Sequence, residues 1–250
     1  MVDSMIIFID IETTGVEEQD RVCSIALIAV DSTKSVSKYE LINEGKKISS
    51  KASSINHITN EMIKEKPKLK DSETYKFLQI CNSEEATIIS HNVKFDLKML
   101  FTCGFEWKGR IIDTLRVTKH LIPECEEFSL QFLRYELKLY KEVSKEMLNS
   151  LSCAEATNNI ESNYSPHNAL SDAIHVKLLY EYLLEIREHE ELIELSFQNV
   201  LIEKFDFGKY SGRYIEEISM CDRGYLEWML SNIMDLDEDL RYSIEYNLEG

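Results

Sequence analysis

The chain has 250 residues, with 45 Asp+Glu against 28 Lys+Arg and a formal net charge of −17, a balance that excludes a protein gripping nucleic acid by bulk positive charge. Its 44% hydrophobic content supports one large domain, or one domain with a small appendix, and 8 Gly and 3 Pro leave little linker material. The six cysteines are scattered without a C-x-x-C pair, and neither a signal peptide nor an apolar stretch of about 20 residues is present, so the sequence predicts a cytoplasmic, non-membrane chain with reduced thiols.

Residues 5–9 are a short apolar run that reads as a buried strand. Residues 22–30 and 39–42 read as two further strands, and the three together suggest an antiparallel meander. A helical stretch starts at Asn60. Strand-then-helix order follows twice, with a strand at 86–90 before a helix at 95–101, and a strand at 111–112 before a helix at 114–121. Another helix starts at Ser129. Residues 140–165 are polar and uneven, and Pro166 marks a turn into a long helix from Ala169 to about Leu184. Alternating β and α after a meander predicts an α/β fold with a mixed sheet. The acidic run 185–194 then precedes a tail with its own aromatic signature, and the domain boundary falls near Leu195.

Asp10 and Glu12 lie where the first apolar run ends. Residues i and i+2 of a strand share a face, so the two carboxylates converge, and like charges that close are costly unless a cation lies between them. Two readings stay open for this pair alone: a cation site, or a solvated strand end. Asp96 lies in the first turn of the helix after strand 86–90, where an acidic residue ordinarily complements the helix dipole. Asp172 lies early in the long helix, with His167 five residues upstream. Three sheet-to-helix junctions therefore each deliver a hard oxygen ligand, and one adds an imidazole.

Asp10-x-Glu12-Thr13-Thr14-Gly15, then Asn92-x-x-x-Asp96, then His167-x-x-x-x-Asp172 resemble, in order and spacing, the three motifs of the DnaQ-like family, the DEDDh branch of 3′–5′ exonucleases. Segments 55–62 and 113–115 and the pair Ser129-Leu130 agree, and the resemblance spans roughly residues 5–184. It implies a ribonuclease H-like mixed β-sheet flanked by helices. The implied catalytic set is Asp10, Glu12, Asp96, His167 and Asp172, with the four carboxylates holding two divalent ions, Mg²⁺ or Mn²⁺. His167 is the expected general base. Thr13 and Thr14 would bring a backbone group or hydroxyl to the terminal nucleotide, and Asn92 and Phe95 would contact the substrate strand, with Phe95 otherwise a core residue. One departure is Ser24, where many relatives carry an acidic residue.

In the tail, Phe207-Gly208-Lys209-Tyr210-Ser211-Gly212-Arg213 and Gly224-Tyr225-Leu226-Glu227-Trp228 resemble the C-terminal module of the exodeoxyribonuclease X group. Two readings compete there: DNA contacts by Lys209, Tyr210 and Arg213, or a hairpin whose aromatics form a small core. The expected domains are thus an exonuclease domain over 1–184, an acidic helical connector over 185–195 and a small C-terminal module over 196–250. The expected activity is a metal-dependent 3′–5′ exodeoxyribonuclease acting on a single-stranded or frayed DNA 3′ end, releasing nucleoside 5′-monophosphates in DNA repair or recombination. Alternatives are a polymerase proofreading exonuclease, an RNA 3′-end trimming enzyme, and a non-catalytic nucleic-acid or clamp-binding protein. Residues 198–202 loosely match a sliding-clamp-binding peptide, which makes a clamp or polymerase a further partner to consider.

Overall fold

The computed structural model describes residues 5–143 and 167–249; most of the polar stretch 140–165, Cys153 and the turn expected at Pro166 lie outside them. Five strands form one sheet in the order β3-β2-β1-β4-β5. β1 (Ile6–Thr13), β2 (Val22–Val30) and β3 (Ser35–Leu41) pair antiparallel, the meander expected from their order. β4 (Thr87–Ser90) runs parallel to β1, and β5 (Arg110–Asp113) parallel to β4, which makes the sheet mixed. The Asp31 carboxylate closes the β2–β3 turn by accepting from the backbone N–H groups of Thr33 and Lys34.

Helices α1 (Ser50–Asn56) and α2 (Asn60–Ile63), capped by the Ser49 and Thr59 hydroxyls, enclose a small cluster of Cys23, Leu41, Ile48, Ala52, Ile58 and Ile63. One face of the sheet, carrying Ile7, Ile9, Ile25, Leu27 and Ile88, packs on α3 (Glu73–Cys81) and α4 (Val93–Thr102) through Leu78, Met99 and Leu100. The other face carries Phe8, Ala26, Ile28, Ile89 and Ile112. It is covered by α5 (Thr114–Leu121), α6 (Leu130–Glu136) and α7 (Ala169–Leu184) through Val117, Leu133, Ala173 and Leu179. Both faces are covered, so β2 is buried at every position but its last and reads as a continuous apolar run rather than an alternating one.

The acidic stretch 185–195 does not stand apart as a connector. Its helix α8 (His189–Leu195) buries Leu192 in the same core as α7, and the Tyr180 hydroxyl lies 2.8 Å from His189 Nδ1. Just beyond it, the Ser196 hydroxyl accepts from the Asp113 backbone N–H at 2.9 Å.

The chain divides into two compact units, Met1–Ser196 and Phe197–Gly250. In the second, Lys204 and Tyr214 form an antiparallel bridge that opens a hairpin-like turn. Helices α9 (Ile215–Cys221), α10 (Arg223–Asn232) and α11 (Glu238–Glu249) then gather Phe205, Ile215, Ile218, Leu226, Met229, Leu240 and Ile244 into a separate core. The clamp-like segment is tied into this unit: the Val200 and Ile202 backbone N–H groups donate to Asp239 Oδ1 and Ser243 Oγ. The five described cysteines are free thiols. Among the described residues no helix is long and apolar enough to cross a membrane.

Because Leu179 of α7 is fully buried in the core under the sheet, Leu179→Ala is expected to cost about 2–5 kcal/mol in urea denaturation. Ile80→Ala, at a position 81% exposed on α3, is expected to stay within about 0.5 kcal/mol of the parent. Equal losses at the two positions would contradict this account of the core.

Candidate active site

Strand periodicity puts Phe8, Asp10 and Glu12 on the face of β1 that looks toward α7. Phe8 packs on Tyr180 of α7 with ring centroids 5.4 Å apart. Two and four residues further along β1 the same face turns acidic, and there α7 begins. Asn168 caps the helix by accepting from the Leu170 and Ser171 backbone N–H groups, which places Asp172 in the first turn. One carboxylate oxygen from each of Asp10, Glu12 and Asp172 lies within 4.8 Å of the other two.

Asp172 is fixed by two donors from different segments. Gln131 Nε2 of α6 donates to Oδ1 at 2.8 Å, and the His167 backbone N–H donates to Oδ2 at 3.1 Å. His167 adopts a left-handed backbone, φ 60°, an uncommon state for a residue with a Cβ. That conformation sets the chain to present the N–H inward.

Asp96 stands outside this trio. Asn92, also left-handed at φ 71°, starts α4 after β4, and its backbone N–H donates to Asp113 Oδ1 at 3.0 Å. Asp96, 4% exposed in the first turn, accepts from the Ser90 hydroxyl at 2.7 Å. Its charge still reaches the trio.

Burial, followed by the charges of Asp172, Asp96 and Glu12, pushes the Asp10 carboxyl well above its ordinary range. Burial and the charges of Asp172 and Asp96 push Glu12 up to about 8. Burial raises Asp96 to about 7 against the Ser90 hydrogen bond, and raises Asp172 to about 6 against the bonds from Gln131 and His167. Four carboxyls that burial, joined at Asp10 and Glu12 by neighbouring charges, holds above their ordinary range are a site short of positive charge. The donor set is all oxygen and all hard, which fits a divalent cation of the Mg²⁺ or Mn²⁺ type.

A pocket beside the trio is lined by Asp10, Asp172, His167, His91, Ser129, Leu130 and Gln131. Burial and the neighbouring His57 lower the His167 imidazole below its usual value, so it is neutral at pH 7. His91 and Gln131 were not anticipated as site residues. His91 Nε2 lies 2.8 Å from the Phe128 carbonyl and Nδ1 3.0 Å from Thr114 Oγ1, and burial pushes its pKa down to about 4. The sequence signal for His91 was its place directly before Asn92; nothing local marks Gln131.

The Thr13 and Thr14 hydroxyls are used within the chain, on the Gly15 carbonyl at 2.6 Å and Asp20 Oδ1 at 2.8 Å, so what this turn presents is backbone. Gly15 has no room for a side chain, since a Cβ would lie 2.4 Å from Asp20 Oδ2. Asn92 is exposed, whereas Phe95 is half-buried against the core. In the second unit Lys209 pairs with Asp222 at 3.0 Å, the Tyr210 hydroxyl donates to Asp222 at 2.5 Å, and Arg213 pairs with Glu217. Tyr210 and Tyr225 pack on the small core, while Trp228 is 53% exposed.

The exonuclease family model matches residues 7–180, and an exodeoxyribonuclease X-like C-terminal model matches residues 205–234. Exodeoxyribonuclease 10 of Escherichia coli (strain K12) is 26% identical over 256 residues, covering 98% of this chain and 100% of that protein. DNA polymerase III PolC-type of Thermotoga maritima is 32% identical over 146 residues, covering 55% of this chain and 10% of that protein. Among solved structures, Exonuclease X in complex with 5′ overhanging duplex DNA has a TM-score of 0.57 at 23% identity, covering 76% of this chain and 99% of that chain. Escherichia coli Exonuclease I with a dA13 oligonucleotide has a TM-score of 0.50 at 17% identity, covering 76% and 42%. These likenesses establish the ribonuclease H-like exonuclease fold.

Because the folded carboxyls bind protons more tightly than unfolded ones, the metal-free fold holds surplus protons from about pH 4 upward, through the region near pH 8 where Glu12 titrates. Stability is therefore lost as pH rises through that window. The thermal midpoint in EDTA is expected to fall from pH 5 to pH 8, and Asp10→Asn is expected to flatten that fall and raise the midpoint at pH 8. Saturating Mn²⁺ should stabilise the parent more at pH 8 than at pH 5. A midpoint in EDTA that rose across this range would contradict the crowding.

Proposed function

The chain belongs to the exonuclease family, and on that footing we propose that it is a metal-dependent 3′–5′ exodeoxyribonuclease that hydrolyses the terminal phosphodiester of DNA and releases nucleoside 5′-monophosphates, in DNA repair or recombination. The convergence of Asp10, Glu12 and Asp172, with Asp96 behind them, carries this reading. A likeness to Exodeoxyribonuclease 10 over 98% of the chain, the tail included, favours it over a proofreading exonuclease, for which the PolC-type relatives speak over about half of the chain.

Asp10, Glu12 and Asp172 would hold divalent ions, Mg²⁺ or Mn²⁺, with Asp96 completing a set of four charges that two such ions offset. When bound, such ions acidify the attacking water and neutralise charge building on the phosphate and the leaving 3′-oxygen. His167, neutral at pH 7 and at the pocket wall, is the general base that takes the water's proton on its imidazole. Gln131 and the His167 backbone keep the Asp172 carboxylate aimed inward. The Thr13–Thr14 backbone and Asn92 flank the terminal nucleotide, and Phe95 supports them from the core.

Lys209, Tyr210 and Arg213 draw less support as DNA contacts, since each already has an acidic partner within the chain. A sliding clamp likewise draws little support from residues 198–202, whose backbone is tied to α11.

On 3′-labelled DNA, EDTA is expected to abolish nucleotide release and Mg²⁺ or Mn²⁺ to restore it; release indifferent to EDTA would overturn the mechanism. His167→Ala is expected to lower kcat by about 10²–10⁴-fold while oligonucleotide binding survives. Asp172→Ala is expected to remove activity and Mn²⁺ binding together, measured by turnover and by calorimetry. Release from RNA alone would transfer the proposal to an RNA-trimming enzyme.

A further inference from the structure

Gln131 lines the pocket, and on a helix the residue four further on occupies the same side, one turn away. That residue is Tyr135, 60% exposed, and its ring centroid lies 5.4 Å from that of Tyr140, 42% exposed. Two large exposed aromatic rings side by side offer a flat apolar face on which a planar group can stack.

Here they are held rigidly. Leu133 and Leu139, the buried neighbours of this turn, are 0% and 3% exposed in the main core, and Lys138 reverses the chain between them in a left-handed conformation at φ 58°. Lys138 and Lys141 are both exposed and have no ion-pair partner among the described residues; the Lys141 ammonium lies 5.9 Å from the Tyr140 ring centroid. The cations of the second unit contrast with these, since Lys209, Arg213 and Arg223 are each paired with a carboxylate.

Paired rings flanked by uncommitted cations, one helical turn from the pocket, match a single strand of nucleic acid, whose bases stack and whose phosphates take positive charge. We propose that Tyr135 and Tyr140 form a stacking platform for the nucleotides on the 5′ side of the scissile phosphodiester, with Lys138 and Lys141 meeting their phosphates. This site rests on the exonuclease reading and extends it, because it makes the enzyme prefer strands over mononucleotide esters.

The test compares a single-stranded DNA oligomer with the p-nitrophenyl ester of thymidine 5′-monophosphate, which carries one leaving-group ring on its 5′ side and neither nucleotides nor further phosphates. Tyr135→Ala and Tyr140→Ala are each expected to raise KM for the oligomer about tenfold and to shrink its preference over the ester by the same factor, whereas Tyr→Phe retains both. The Lys138→Ala/Lys141→Ala double variant is expected to lower the salt slope of oligomer binding by about 1.4, two single-strand phosphates. An unchanged oligomer-to-ester preference in both alanine variants would overturn the platform. Absence of hydrolysis of either compound by the parent would instead overturn the exonuclease reading.

Discussion

The crowding of four carboxyl groups into a largely desolvated space is the constraint around which the first unit is built. Asp10 and Glu12 come from β1, Asp172 from the start of α7 and Asp96 from the start of α4; burial is the larger cause of their raised proton affinity, and the charges of Asp172 and Asp96 add to it at Asp10 and Glu12. The fold offsets the crowding with donors rather than with lysines. Gln131 and the His167 backbone serve Asp172, Ser90 serves Asp96, and each of these two carboxylates lies in the first turn of a helix, where the partial positive charge of the N-terminus favours it. These donors leave the carboxyl pKa values well above ordinary, so the deficit of positive charge is only partly met. A fold that merely wanted stability would place apolar side chains here.

β1 carries the arrangement because it has two faces. Its odd-numbered residues, Ile7, Ile9 and Ile11, anchor one core, while its even-numbered residues pass from Phe8, packed on Tyr180, to Asp10 and Glu12. The neighbouring strand answers with small side chains. Ala26 stands opposite Asp10, and Ser24 stands opposite Glu12, fully buried and with no hydrogen-bond partner for its hydroxyl among the described residues. An acidic residue at position 24 would add another like charge directly across from Glu12; serine keeps the number at four. The register shift between Glu12 and Thr13 then turns the chain, so that Thr13 and Thr14 spend their hydroxyls on the turn closed by Gly15 and Asp20.

What could be read from the sequence follows from how local each signal is. Asp10-x-Glu12 is legible because strand periodicity puts the two on one face, and Asp172 because the turn at Pro166 marks the helix start, though their chemistry came from the ordered set of motifs rather than from either position alone. That Asp96 falls outside the 4.8 Å cluster of the other three is not legible, since it depends on how α4 docks. Gln131 could not be found at all: its role comes from α6 lying against the first turn of α7, a contact across 41 positions of sequence. Helix α8 was misread for a related reason. Its composition is that of a solvated acidic stretch, and only the packing of Leu192 and the hydrogen bonds of His189 show that it belongs to the core. For the tail the sequence left two readings open, DNA contacts by Lys209, Tyr210 and Arg213 or a small aromatic core, because cations look available in a sequence until partners such as Asp222 and Glu217 are placed beside them.

The net charge of −17 acquires a different meaning once positions are known. Residues 185–250 hold 17 acidic and 6 basic side chains, so most of the surplus belongs to that stretch of the chain. Exposed ion pairs such as those of Lys209, Arg213 and Arg223 add little stability, yet they withdraw those cations from any polyanion. In the first unit, Lys138 and Lys141 beside α6 have no ion-pair partner among the described residues and stay open to a phosphate. On the proposed reading, contact with a strand end is therefore tied to offsetting the four carboxylates: the cations that remove their repulsion also remove the repulsion of the phosphate. An acidic chain of this kind is disfavoured as a coat for DNA and favoured as an enzyme that engages one end of it.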